Sequence, residues 1–263
     1  MIGVFDSGIG GLSILRSLRA ELPGEDFIYV ADSGHAPYGE RDNAHVIARA
    51  RALTAYLYAQ DIKVLVVACN TATAAAIELL RVEYPLLPIV GVEPAIKPAV
   101  AISKTRRIGV MATRCTLGSA KFQALLQTYA AGAEFVLQPC DGLAHAIECS
   151  IATQDTTKIV ALCEEYTRAM GQFGLENGQI DTLVLGCTHY SFVRPQLHDL
   201  LGAKVTLIDT GEPVARQTHR LLATPCTGAM GLVQLQTTGD SSALKVATKR
   251  WLGMDREVTV LAV

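Results

Sequence analysis

The amino-acid sequence predicts an α/β fold built from two similar α/β domains with mostly parallel sheets. Three observations carry that reading. Short β-branched runs alternate along the chain with longer stretches of helical period. Half of the 263 residues are apolar, enough for a sizeable core. The strand-and-turn pattern of the first half recurs loosely in the second.

In chain order, strands are expected at Ile2 to Phe5, Phe27 to Ala31, Val64 to Ala68, Ile89 to Val90, Ile108 to Met111, Phe135 to Leu137, Leu183 to Leu185 and Val205 to Ile208. Helical period runs through Leu12 to Leu22, Ala44 to Ala59, Thr71 to Glu83, Leu117 to Tyr129 and Thr156 to Phe173, and Asp141 to Glu148 opens a further helix. Strands joined through helices run parallel, with helices on both sheet faces. Gly3-Val4-Phe5-Asp6-Ser7 is echoed by Gly109-Val110-Met111-Ala112-Thr113, and Val66-Val67-Ala68-Cys69-Asn70-Thr71 by Val184-Leu185-Gly186-Cys187-Thr188-His189. Each half thus contributes a strand that ends in cysteine. Glu93-Pro94-Ala95 with Pro98 marks the crossing between halves, because proline favours element boundaries. The expected domains are residues 1–94 with 207–263, carrying Asp6 and Cys69, and residues 95–206, carrying Glu148 and Cys187, with the ligand cleft between them.

Charged residues make up 18% of the chain and the formal net charge is -2, so no basic field recruits nucleic acid or anionic lipid. No apolar run reaches the roughly 20 residues of a membrane span. Met1 leads straight into Ile2-Gly3-Val4-Phe5 without the segments of a secretory leader, and the seven cysteines show no paired spacing. These features predict a cytoplasmic protein with reduced thiols and a small-molecule partner, without nucleic-acid or membrane partners.

In a parallel sheet the C-terminal strand ends and the following helix N-termini converge on the ligand crevice, and Cys69 and Cys187 both stand there. The positive end of a helix favours a thiolate. Removing a proton beside a carboxylate needs a base on one face of the carbon, and inversion needs an acid on the other; a thiolate and a thiol meet both needs and exchange roles in reverse. One such cysteine alone reads as an inert buried thiol. Two polar cysteine turns, Asn70-Thr71-Ala72-Thr73 and Thr188-His189-Tyr190, argue for chemistry.

Asp6-Ser7-Gly8-Ile9-Gly10-Gly11 can cradle an anion with backbone N–H groups, though it lacks both the dinucleotide and the P-loop spacing. Asp6 reads either as a local cap or as a partner of the substrate ammonium or of Cys69. Asp32 to Gly39 reads as an ordered polar loop, and Glu148 as a solvated helix face or as an orienter of His189. Nearby cations are few, Arg41 and Arg114 being the closest in sequence, so an anionic ligand would rest on N–H groups and the hydroxyls of Ser7, Thr71, Thr73, Thr113, Thr116 and Thr188. A binding protein without catalysis, and a metal site around Cys187 and His189, are the other readings; Cys-x-His is not by itself a zinc spacing.

Phe5-Asp6-Ser7-Gly8-x-Gly10-Gly11, Ala31-Asp32 through Pro37-Tyr38-Gly39, Ala68-Cys69-Asn70-Thr71-Ala72 and Leu185-Gly186-Cys187-Thr188-His189-Tyr190 together resemble the signature blocks of the glutamate racemase family, within the aspartate/glutamate racemase superfamily. Thr238-Gly239-Asp240 extends the resemblance over nearly the whole chain. It implies interconversion of L- and D-glutamate for peptidoglycan synthesis, without pyridoxal phosphate, metal or other cofactor, in a two-domain protein that is usually a homodimer. On the matching positions it implies that Cys69 serves the D-enantiomer and Cys187 the L-enantiomer, assisted by Asp6, Glu148 and His189. Ser7, Pro37, Tyr38, Gly39, Asn70, Thr71, Thr113, Thr116 and Thr188, together with Asp6 and His189, are implied as substrate-binding residues. Ser191 departs from the proline common after the Thr-His-Tyr triplet, and the stretch around Glu148 is a looser match.

Overall fold

The computed structural model describes residues 1–129, 132–224, 226 and 228–263. Strands and helices alternate from the start: β1 (Ile2–Asp6), α1 (Leu12–Glu21), β2 (Phe27–Ala31), α2 (Asn43–Tyr58), β3 (Val64–Val67), α3 (Asn70–Glu83) and β4 (Ile89–Gly91). There follow α4 (Ile96–Ile102), β5 (Arg107–Ala112), α5 (Arg114–Gly118), α6 (Ala120–Tyr129), β6 (Glu134–Pro139), α7 (Leu143–Thr153), α8 (Thr157–Met170) and β7 (Thr182–Leu185). The chain ends in α9 (Arg194–Leu201), β8 (Thr206–Ile208), α10 (Gly211–Leu221), β9 (Val233–Thr237), α11 (Ser241–Leu252) and β10 (Val258–Val260). Two compact units result, Met1–Val92 with Gly211–Val263, and Glu93–Thr210.

The first unit holds a six-stranded sheet in the order β10-β9-β2-β1-β3-β4, with every neighbouring pair parallel. Because successive side chains point to opposite faces, Phe5, Val30, Leu65 and Val67 meet α2 and α3 on one side, where Val46, Leu53, Ala72, Ala76 and Leu80 complete a buried cluster. On the other face α1 packs against α10 and α11. Both faces are covered, so strands such as Val64-Leu65-Val66-Val67 are apolar throughout instead of alternating. Leu53, with no exposed surface, illustrates the energetics: truncation to alanine would cost about 2–5 kcal/mol through lost burial and a residual cavity.

The second unit repeats the plan on a smaller scale, with a four-stranded parallel sheet in the order β6-β5-β7-β8. Ile108, Val110, Ala112 and Val184 pack with Ile96 and Ala99 of α4, Leu117 of α5, and Phe122 and Leu126 of α6. In each unit the first strand lies between its successor and the strand after that, so the chain reverses its direction of growth beside β1 and again beside β5. Ligand crevices form outside the carboxyl ends of strands at such reversals. The echoed segments fall on these strands, β1 with β5 and β3 with β7.

Several boundaries differ from the sequence reading. The expected Leu117 to Tyr129 helix is broken at Ser119, whose hydroxyl donates to Thr116 O (2.8 Å) and accepts from Phe122 N–H (3.1 Å), ending α5 and starting α6. Pro98, read as part of a crossing, lies in the first turn of α4, where no intrahelical N–H bond is lost. β9 and β10, absent from the sequence reading, extend the first sheet beyond β2.

Candidate active site

In the first unit β1 delivers Asp6 and Ser7, and β3 delivers Cys69, to the reversal point. Cys69 occupies the N-cap of α3, and its Sγ accepts the Ala72 N–H at 3.5 Å. The partial positive charge of that helix start therefore bears on the sulfur. Cys69 Sγ lies 3.9 Å from Ser7 Oγ. Ser7 donates its N–H (2.7 Å) and its hydroxyl (3.4 Å) to Asp6 Oδ1, so the fully buried Asp6 carboxylate stands next in line behind the serine. Gly11 keeps this turn compact, since a Cβ there would fall 2.7 Å from Asp6 Cβ and 2.9 Å from Tyr29 Oη.

Other candidates in this unit are engaged in several ways. Asn70 is buried and donates Nδ2 to Val92 O (3.3 Å), and Thr71 is buried in the first turn of α3. Thr73 corrects the sequence reading: its hydroxyl donates to Val67 O (3.2 Å) and accepts Val92 N–H (3.0 Å), tying β3 to the end of β4 and leaving no hydroxyl proton for a ligand. Pro37 follows a cis Ala36–Pro37 bond, and Tyr38 and Gly39 lie in a 3₁₀ turn, Tyr38–Glu40. Tyr38 is buried in the same cluster as Cys69 and donates its hydroxyl to Asp32 Oδ2 at 2.5 Å. Burial, then the Asp32 carboxylate, pushes the phenol far above its ordinary range, so it stays a donor.

In the second unit β5 delivers Thr113, and β7 delivers Cys187, to the equivalent point. Thr113 caps α5, accepting Thr116 N–H (3.2 Å) and donating to Thr116 Oγ1 (2.9 Å). Gly186 permits β7 to approach β5: a Cβ there would meet Ala112 Cβ at 2.9 Å and Met111 O at 3.0 Å. Cys187 heads a six-residue 3₁₀ turn, Thr188–Val193, without a side-chain cap bond. Its Sγ lies 3.7 Å from His189 Nδ1, and His189 Nε2 meets Glu148 Oε1 at 2.7 Å. Burial of the imidazole opposes its charge, but the contacts with Cys187 and Glu148 outweigh that and hold its pKa well above the ordinary value. The charged form of the imidazole is thereby favoured beside the Cys187 sulfur. Thr188 is buried next to it, and the Tyr190 hydroxyl donates to Cys140 O (3.2 Å).

Two other buried thiols, Cys140 and Cys163, differ in kind. Burial pushes Cys163 up to about 12 and Cys140 higher still, which keeps both protonated. Among the described residues no group of three or more His, Cys, Asp or Glu side chains is arranged to hold a metal ion. The departure at Ser191 is met by a 3.5 Å contact from its hydroxyl to Asp209 Oδ2, which also pairs with Arg194 at 2.8 Å. Arg114, one of the cations nearest the candidate loops, pairs with Asp141. Arg49, which the sequence reading passed over, pairs with the buried Asp32. No local motif announced that pair, because the two residues are 17 positions apart.

The two-unit parallel α/β architecture agrees with comparison to known proteins. The family model described as Asp/Glu/Hydantoin racemase matches residues 2–218. The chain belongs to that family: it is a racemase, and so an isomerase. Within it, the chain stands with the glutamate racemases. A glutamate racemase of Ectopseudomonas mendocina is 51% identical over 84% of this chain and 81% of its own length. The crystal structure of glutamate racemase isoform RacE1 from Bacillus anthracis matches with a TM-score of 0.88 at 29% identity, covering 100% of this chain and 97% of that one. The Escherichia coli glutamate racemase, crystallised with L-glutamate and the activator UDP-MurNAc-ala, matches with a TM-score of 0.85 at 28% identity, covering 100% and 98%.

Proposed function

We propose that this protein interconverts L-glutamate and D-glutamate by passing a proton between two thiols, with Cys69 acting on the D-enantiomer and Cys187 on the L-enantiomer. The observation that carries the proposal is the repetition of one arrangement: a cysteine at the strand end beside the sheet reversal in each unit, each with positive charge brought to its sulfur. One thiolate removes the α-proton from its face of the carbon, leaving a carbanion beside the carboxylate. The other thiol then delivers its own proton to the opposite face, and the roles exchange in reverse. Asp6, through Ser7, and Glu148, through His189, orient and balance the charge at the two sulfurs. Ser7, Tyr38, Gly39, Asn70, Thr71, Thr113, Thr116 and Thr188 supply N–H groups and hydroxyls for the carboxylates.

Glutamate as substrate is supported by the relatives, one of which was crystallised with L-glutamate. On the same family grounds, D-glutamate made in this way supplies peptidoglycan synthesis in the cytoplasm, and the working form is a homodimer. The test is direct: either glutamate enantiomer, incubated with the protein alone, loses its circular dichroism until the mixture is racemic. Aspartate in parallel separates the two dicarboxylates, and an unchanging signal with both glutamate enantiomers refutes the proposal.

A further inference from the structure

Asp32 follows β2 and takes no part in the proton transfer proposed above, yet its carboxylate has no exposed surface and is held by several donors. Tyr38 Oη (2.5 Å) and Arg49 Nε (2.9 Å) donate to Oδ2; Arg49 Nη2 (2.9 Å) and Thr238 Oγ1 (2.7 Å) donate to Oδ1, where His35 Nδ1 also lies at 3.1 Å. These groups come from the 3₁₀ turns Ser33–His35 and Tyr38–Glu40, from α2, and from the turn after β9. Thr238 Oγ1 also accepts Gly34 N–H (3.1 Å), and Arg49 Nη1 donates to the main-chain oxygen of Val263 (2.9 Å).

A buried carboxylate is tolerated where its partners saturate it, and a guanidinium fork grips both of its oxygens at once from one side chain. Burial would raise the Asp32 pKa, but the bonds from Arg49, Tyr38 and Thr238 outweigh this and hold it below the ordinary range. Arg49 spans both oxygens from outside the loop, so it holds the carboxylate in place while Tyr38 hangs from the same group. Tyr38 in turn packs in the cluster that contains Cys69.

We propose that Arg49 is a positioning residue for the substrate: by clamping Asp32 it fixes the Tyr38-Gly39 turn beside Cys69, and so sets affinity for the amino acid without setting the rate of proton transfer. This rests on the glutamate racemase reading. The experiment compares Arg49→Met and Arg49→Lys with Arg51→Met, a control on the same helix whose arginine pairs with Glu83 on the surface. In Arg49→Met, KM for both enantiomers rises about tenfold while kcat stays within about twofold, the size expected for a lost charge-assisted clamp. Arg49→Lys, which restores the charge without the fork, recovers part of the affinity, and Arg51→Met keeps the wild-type KM.

Unchanged KM in Arg49→Met, or a loss of kcat at unchanged KM, overturns the proposal. Where Arg49→Met does not fold, Thr238→Val removes one donor and no charge; a KM rise of about threefold supports the clamp and an unchanged KM overturns it. Calorimetric binding of L-glutamate separates this inference from the racemase reading, since it needs no turnover. Tenfold weaker binding in Arg49→Met supports the clamp even where the wild type fails to racemise, and equal or absent binding in both proteins overturns it.

Discussion

Cys69 stands at the head of the 14-residue α3, with a buried serine and aspartate behind it, whereas Cys187 heads a six-residue 3₁₀ turn and is backed by a histidine and a glutamate. The strand topology around the two is the same, so the difference lies in how positive charge reaches each sulfur. A long α-helix supplies aligned peptide dipoles and an N–H aimed at Sγ. A short 3₁₀ turn aligns fewer, with poorer geometry, and His189, whose charged form the contact with Glu148 favours, brings positive charge from a side chain instead. The two units thus bring positive charge to a strand-end sulfur by different means, one with backbone and the other with side chains.

The comparison breaks first at the sulfurs themselves. Cys69→Ser and Cys187→Ser each lower racemisation on the order of 10³-fold or more, because a serine hydroxyl is too weak an acid to hold a proton in balance with a thiol. Equal losses in steady-state circular dichroism assays support two equivalent partners, and a variant that keeps wild-type activity refutes its role.

The supports separate at the next level. His189→Asn lowers kcat/KM about 10²-fold and Glu148→Gln about tenfold, since the glutamate acts one bond further out. Enantiomers have equal free energy, so kcat/KM must fall equally in both directions. The asymmetry appears in the isotope effect: with α-deuterated substrates, His189→Asn enlarges it for L-glutamate and shrinks it for D-glutamate, because the Cys187 step comes to limit both directions. Ser7→Ala, which removes the hydroxyl 3.9 Å from Cys69 Sγ, produces the opposite asymmetry with only about a threefold loss of rate.

The smallest effects are on stability, at opposite pH edges. His189 has a folded pKa raised above its ordinary 6.5, so its pairing contributes fully below that value and is lost as pH rises through the folded pKa. Asp32 has a folded pKa below its ordinary 3.8, so its clamp contributes fully above that value and is lost as pH falls through the folded pKa. The Tm difference between wild type and His189→Asn therefore shrinks on the alkaline side, and that between wild type and Asp32→Asn on the acid side. Parallel pH profiles for the two differences would contradict these assignments.

How much of this could be read from the sequence follows from where the determinants lie. Strands buried on both faces were legible because Phe27-Ile28-Tyr29-Val30-Ala31 and Val64-Leu65-Val66-Val67 are continuous apolar runs. β9 alternates valine and leucine with Gln234 and Gln236, and β10 is a three-residue, mostly exposed edge, so neither stands out. Both cysteine turns were legible because every group in them is local. The contact between His189 and Glu148, one of two readings the sequence left open for Glu148, spans 41 positions, and the fold decides it by bringing α7 against the Cys187 turn. The Asp32 cluster was hidden more deeply: its partners lie at 35, 38, 49 and 238, and a loop containing proline and glycine reads as a simple turn until β9 is placed beside β2.

The central claim, that two separate sulfurs each carry their own proton, is tested most directly by a short incubation of unlabelled L-glutamate in deuterated water, with product and remaining substrate analysed separately. The account predicts D-glutamate bearing deuterium at Cα, delivered by Cys69, while recovered L-glutamate remains protiated in the first few per cent of reaction. Deuterium entering substrate and product at the same rate, or product that retains the original α-proton, would show a single acid–base group at work and contradict it.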